Sequence, residues 1–280
     1  MACLLAYLPA PVDLAVGRRI GDLLWWLLPG RRRVALDNLR RGLGQELPPA
    51  ALHRLGRRSF QHFGMNLVEG CRYFLRPTEV MLSRVRVEGG EQLKTAAAEG
   101  RGVLILTAHY GNWELLGAAH GLVGLPLSIV IRPLDHPVLD VLAARFRRRS
   151  GAELIVKRQA VREVIGALRR GRMVGVLLDQ NATRAEGVFV PFFGVLASTS
   201  KGLALLALRT GAPVVPVFLR READGGHCME VGPPVPPPAN ADVVAYTAAF
   251  NQAIEAAIRR APEQWLWMHA RWRTRPREAA

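Results

Sequence analysis

The sequence predicts an α/β fold: a largely parallel central sheet flanked by helices, with an N-terminal helical annex. Three observations predict it. The stretch GVLILTAHYGNWE (102–114) opens on an unbroken apolar run and turns helical after Asn112. That composition suits a strand buried on both faces of a parallel sheet and feeding a helix. From residue 84 onward, short apolar runs alternate with helical patterns, the mark of βα units. Between 31 and 75 the apolar residues instead recur at helical spacing, which suits an annex. With 280 residues the chain can bury a substantial core.

Residues 1–28 are apolar but interrupted by Asp13, Arg18, Arg19 and Asp22, and the charge-free run 1–12 is too short to span a bilayer. No basic region or cleavage site marks a secretory signal. Ile20, Leu23, Leu24, Trp25, Trp26, Leu27 and Leu28, followed by Arg31–Arg33, fit a helix lying in a membrane interface over 1–29; a core helix of the annex is the alternative. Two helices fill the annex, 30–80. The second begins near Pro48–Pro49 and carries Leu52, Leu55, Phe60, Phe63, Leu67, Cys71 and Phe74 on one face. His53 and His62 read as surface or packed residues.

The core, 81–280, is expected to hold strands at 84–88, 102–107, 127–132, 153–156, 173–179, 213–219 and 227–231. Helices are expected at 90–98, 112–122, 136–149, 160–170, 199–209 and 241–260. The Pro-rich stretch 233–238 connects to the last helix and is no domain linker.

Chemistry gathers where the strands end. His109 follows a buried strand, so it reaches the carboxyl edge of the sheet, where open α/β folds bind ligands. His109 and Glu114 are five apart, about 140° around a continuous helix, so they meet only if His109 precedes the helix and Gly111 folds the loop back. A carboxylate so placed would fix the imidazole tautomer while the other nitrogen takes a proton. The helix N-terminus would offer N–H groups to an oxyanion or phosphate. By itself such a pair is more often a packed loop histidine and a helix-terminus carboxylate. Arg132 and Asp179 also end predicted strands and should share that edge, with Gln180 and Asn181 on the rim. Asp179 competes with Glu114 as the partner of His109. Phe189, Phe192 and Phe193 fit either the wall of an apolar ligand channel or core packing. Ser198, Thr199 and Ser200 read as a helix cap.

The net charge of +15 is carried almost wholly by arginine and favours anionic partners. Nucleic acid is disfavoured, because no reading helix or aromatic sheet motif accompanies the charge. Cys3, Cys71 and Cys228 lack paired spacing, which argues against a disulfide framework or zinc site. No HExxH pair, Walker loop or dinucleotide fingerprint occurs, so neither metal nor nucleotide cofactor is expected. No Gly-x-Ser-x-Gly elbow or activated cysteine occurs, which argues against a covalent intermediate on serine or cysteine.

HYGNWE resembles the signature of the glycerolipid and lysophospholipid acyltransferase superfamily. Further stretches follow in order: RPLDHPVLD (132–140), GVLLDQN (175–181), GVFVPFFG (187–194), TGAPVVPVF (210–218) and PEQWLWMHARWRTRP (262–276). Together they resemble the bacterial lipid A biosynthesis acyltransferases, with His136 where that family often has asparagine. The resemblance implies a glycerol-3-phosphate acyltransferase-like fold, with 30–280 as one acyltransferase domain. It implies His109, Glu114, Asp179 and Arg132 as catalytic residues. Gly111, Asn112, Trp113, Gln180, Phe192, Phe193, Arg271 and Arg273 would border the substrates, the two terminal arginines near lipid phosphates.

The implied reaction moves a fatty acyl chain from acyl carrier protein or acyl-CoA, as cosubstrate, to a hydroxyl of a lipid A precursor or related glycolipid. A phosphatidylinositol mannoside or lysophospholipid acceptor is the alternative, as is a catalytically silent accessory protein. The implied setting is a monomer bound to anionic lipids at the cytoplasmic face of the inner membrane.

Overall fold

A computed structural model describes residues 10–131, 141, 144–145, 147–156 and 160–276. The annex comes first: α1 (Ala10–Leu27), α2 (Pro29–Leu43), α3 (Pro49–Leu75) and the short α4 (Thr78–Leu82). Prolines at the starts of α2 and α3 occupy positions where a missing N–H leaves no gap in the hydrogen-bond ladder. Helices α1 and α3 touch through small residues. A Cβ on Gly17 would sit 2.5 Å from the Met65 Cα, and one on Gly64 would sit 2.2 Å from the Gly17 carbonyl oxygen. The helix expected at a membrane interface thus packs into the annex core, as its alternative reading has it. Trp25 turns inward, edge-on to Phe60 at 5.1 Å, while Leu23, Trp26 and Leu27 face outward.

The core alternates as expected: β1 (Val85–Glu88), α5 (Gly90–Ala98), β2 (Val103–Thr107), α6 (Trp113–Ala119), β3 (Leu127–Ile131), β4 (Glu153–Val156), α7 (Ala160–Arg169) and β5 (Met173–Leu177). After β5 come β6 (Gly187–Phe192), β7 (Val195–Ser200), α8 (Gly202–Thr210), β8 (Val214–Arg221), β9 (His227–Val231) and α9 (Val243–Arg260). The central sheet runs β1-β9-β8-β2-β5-β3-β4 and is parallel except for the β8–β9 pair. β2 lies at its centre. Its residues divide between two layers by pleat, Val103 and Ile105 toward one core and Leu104 and Leu106 toward the other. Annex residues Leu39 and Phe60 join the second core.

Two expectations fail. The helix read over 199–209 starts at Gly202, and Ser198–Ser200 lie in β7, not in a cap. β6 and β7 form an antiparallel hairpin, Gly187 against Ser200 and Phe192 against Val195. Phe193 and Gly194, both at positive φ (51° and 73°), make the two-residue turn whose twist suits a hairpin. The helix expected over 112–122 ends at Ala119 and tightens to a 3₁₀ turn, His120–Leu122. The helix expected over 136–149 falls largely outside the described residues, and Arg132 falls outside them altogether.

Candidate active site

The site begins with the register of two neighbouring strands. β2 and β5 pair in parallel with Thr107 opposite Leu177, and the Leu178 N–H continues the ladder to the Thr107 carbonyl. Two residues further on, His109 and Asp179 stand level at the carboxyl edge. Asp179 Oδ1 lies 2.8 Å from His109 Nδ1, and its Oδ2 accepts from the His109 backbone N–H (2.9 Å) and from Trp265 Nε1 (2.8 Å). Burial pushes the Asp179 carboxyl up, but the charge and hydrogen bonds of His109 and the bond from Trp265 outweigh it. Together they hold the group down at about 2. The ionised carboxylate takes Nδ1–H and leaves the lone pair on Nε2. Nε2 faces the exposed side chain of Gln180, 3.2 Å away. The Trp113 ring stands edge-on to the imidazole at 5.4 Å.

Glu114 is not the partner of His109. Its carboxylate is gripped by Arg147 through two bonds, Nη2 to Oε1 at 2.6 Å and Nε to Oε2 at 3.1 Å. The turn explains this. Gly111 sits at φ 61°, and a Cβ there would lie 1.8 Å from the Leu219 carbonyl oxygen, so the chain bends against β8 before α6 starts. Asn112 then caps α6, its Oδ1 accepting the Leu115 N–H at 3.0 Å, and is buried. Gly111 and Asn112 thus build the turn, and neither side offers a free polar group to a substrate.

Other expected substrate contacts also move into the scaffold. Phe192 and Phe193 are buried in an aromatic cluster with Trp265, Trp267 and Trp272, the core-packing reading of the two rings. Arg271, expected at lipid phosphates, is wholly buried; it donates to the Ser198 carbonyl at 2.7 Å and to Thr199 Oγ1, and lies over the Phe192 ring. Arg273 is exposed. Asn181 is tied to Thr274 at 3.0 Å, and its N–H meets His269 Nε2 at 3.2 Å. Burial pushes His269 down to about 4, against the pull of the Asp179 charge, so it is neutral at pH 7.

Trp265 is the residue whose contact sequence reasoning missed. Its motif was visible, but nothing in its spacing pointed an indole N–H at Asp179. Among the described residues no helix is long and apolar enough to cross a membrane.

Fold and site define an α/β protein with a histidine–aspartate pair at the carboxyl edge of a mainly parallel sheet, one imidazole nitrogen held by the carboxylate and the other facing the exposed Gln180 amide. Comparison with known proteins carries this further. The chain belongs to the bacterial lipid A biosynthesis acyltransferase family, whose model matches residues 1–274, and it is an acyltransferase. It is 33% identical to the lipid A biosynthesis palmitoleoyltransferase of Escherichia coli over 273 residues, 96% of this chain and 87% of that one. It is 31% identical to the lauroyltransferase of the same organism, covering 98% and 89%. A phosphatidylinositol mannoside acyltransferase of Mycolicibacterium smegmatis is 28% identical, covering 65% of this chain and 60% of that one. The resemblance read from the motifs is borne out for family and reaction class.

Proposed function

We propose that the protein moves a fatty acyl chain from a thioester of acyl carrier protein or coenzyme A to a hydroxyl of a lipid A precursor, with His109 as general base. The single observation that carries this reading is the His109 imidazole, bound through Nδ1 to a buried carboxylate and facing the exposed Gln180 amide through Nε2. The acceptor hydroxyl displaces the Gln180 amide from Nε2 and gives up its proton as its oxygen attacks the thioester carbonyl. Asp179 stabilises the imidazolium that forms. Collapse of the tetrahedral intermediate breaks the C–S bond, and His109 returns the proton to the departing thiolate. The products are an ester and a free thiol, and no acyl-enzyme intervenes.

The reading also puts the enzyme at the cytoplasmic face of the inner membrane, with α1 as its docking element. Support comes from Leu23, Trp26 and Leu27, exposed together ahead of Arg31–Arg33, with Arg32 lying over the Trp26 ring at 5.9 Å.

Replacing His109 by alanine tests the base. Transfer of a long-chain acyl group to a lipid A precursor should fall by roughly 10²–10⁴-fold. A wild-type rate would end the assignment. Lipid mass spectrometry of a deletion strain should find a glycolipid lighter by one acyl chain, and its headgroup decides between lipid A and a mannoside acceptor.

A further inference from the structure

The annex reaches the His109 turn through two side chains one helical turn apart on α3. Asn66 Nδ2 donates to the Gly111 carbonyl at 2.8 Å. Glu69 Oε2 accepts from Asn112 Nδ2 at 2.6 Å, so the side chain that caps α6 is also the one the annex holds. Arg221, from the end of β8, joins the pair. Its Nη2 donates to Asn66 Oδ1 (2.8 Å) and Glu69 Oε2 (2.6 Å), and its Nη1 to Glu69 Oε1. His227 Nε2 stands 3.5 Å from Glu69 Oε2. Burial pushes the Glu69 carboxyl up, yet the charge and hydrogen bonds of Arg221 and His227 outweigh it and keep the group well below its ordinary value.

From the other side, the Gly111 N–H reaches the Gln264 carbonyl at 3.0 Å and the Asn112 N–H reaches the Leu219 carbonyl at 3.0 Å. The peptide unit joining Gly111 to Asn112 therefore has both its polar groups fixed, its carbonyl by the annex and its amide by the sheet. His109 lies two residues upstream, and Trp113, whose ring flanks the imidazole, is the next residue downstream. An annex that only lay on a membrane would need none of these contacts.

We propose that Asn66 and Glu69 are positioning residues for acyl transfer, fixing the Gly111–Asn112 peptide so that His109 presents Nε2 at one place and angle. The proposal rests on the reading of His109 as the base. Neither residue touches a reacting atom. Their effect comes through alignment, where a displacement of about 1 Å can cost on the order of 10²-fold in rate.

Asn66→Asp is the sharper test. It keeps an acceptor for Arg221 and removes the donor to the Gly111 carbonyl. In the full-length enzyme, assayed with a long-chain acyl thioester and a lipid A precursor in detergent micelles, kcat should fall about tenfold or more. Both KM values should stay within about twofold, and the melting temperature, which should fall because a second carboxylate then faces Glu69 and the Gly111 carbonyl, is measured alongside to show that the assayed variant is folded. Glu69→Gln keeps an acceptor for Asn112 and should lower kcat in the same direction; should it fail to fold, Asn66→Asp decides alone.

In a His109→Ala background, Asn66→Asp should not lower the residual rate further, because a positioning effect vanishes with the group positioned. Additive losses would overturn the proposal. So would a wild-type kcat in folded Asn66→Asp while His109→Ala is impaired, leaving the base assignment standing. A wild-type rate in His109→Ala would remove the base assignment and this proposal with it.

Discussion

Two buried arginines hold the surroundings of His109, one on the annex wall and one on the hairpin wall, and they are satisfied by different chemistry. Arg221 meets a carboxylate: both of its terminal nitrogens reach Glu69. Arg271 meets none. Its partners among the described residues are the Ser198 and Gln180 carbonyls, Thr199 Oγ1 and the face of Phe192. Burial pushes the Arg271 guanidinium down to about 10, with the Asp179 charge partly offsetting it. The annex wall is a paired-ion lock, whereas the hairpin wall surrounds a lone cation with dipoles and aromatic rings. A lock of the first kind fails badly when one half is removed, because the other charge stays buried. The second kind loses hydrogen bonds and leaves only neutral groups behind.

The largest expected effect breaks that contrast directly. Arg221→Met should destabilise the protein by about 3–5 kcal/mol, since Glu69 would stay buried without its partner. Arg271→Met should cost less, about 1–3 kcal/mol, for the polar groups it leaves unpaired. Urea melts of the two variants in the same detergent check this. If Arg271→Met proved the more damaging, the view of the hairpin wall as the softer of the two would be wrong.

The second prediction contrasts the two acids that competed for His109. Asp179→Asn should lower kcat by on the order of 10²-fold or more, by losing the charge that supports the imidazolium. Glu114→Gln should stay within a few-fold, because it weakens only a partly exposed pair with Arg147. Equal losses would mean that Arg147 and Glu114 act on the site by a route other than contact with His109.

Why the sequence leaves Asp179 and Glu114 as competing partners of His109 is instructive. The sheet was legible because its strands are short apolar runs bounded by turn residues, and all seven expected strands are present within a residue or two at their ends. Pairing was not legible. The neighbourhood of β2 and β5, with their common offset of 70 residues, exists only in three dimensions, and it alone brings His109 level with Asp179. Glu114 competes because it is near in sequence. The hairpin escaped for another reason: its turn uses Phe193 at positive φ, where an aromatic residue is a rare choice and no Asn-Gly signal warns of it. Burying that ring among Trp265, Trp267 and Phe192 offsets the strain. Arg271 was not legible either: its place near lipid phosphates is implied by resemblance alone, and only the folded chain shows the neighbours that enclose it.

The smallest predicted effect falls on the hairpin wall, at Trp265. The indole N–H donates to Asp179 Oδ2, and phenylalanine keeps most of the packing while removing that one bond. A hydrogen bond to a charged group contributes about 1.5–3 kcal/mol at most, and the two bonds left from His109 should reduce the loss in Trp265→Phe to about 1 kcal/mol. The pH dependence identifies its origin. Asp179 ionises at about 2 in the folded protein against 3.8 for the free group, so its contribution is present above pH 3.8 and lost as the pH falls through 2. The share owed to Trp265 belongs to the ionised carboxylate and follows the same window. The stability gap between wild type and Trp265→Phe should therefore be constant from pH 7 to about 4 and narrow below it. A gap that persisted unchanged at lower pH would assign the loss to ring packing, and would make the link between the aromatic wall and the Asp179 carboxylate one of shape alone.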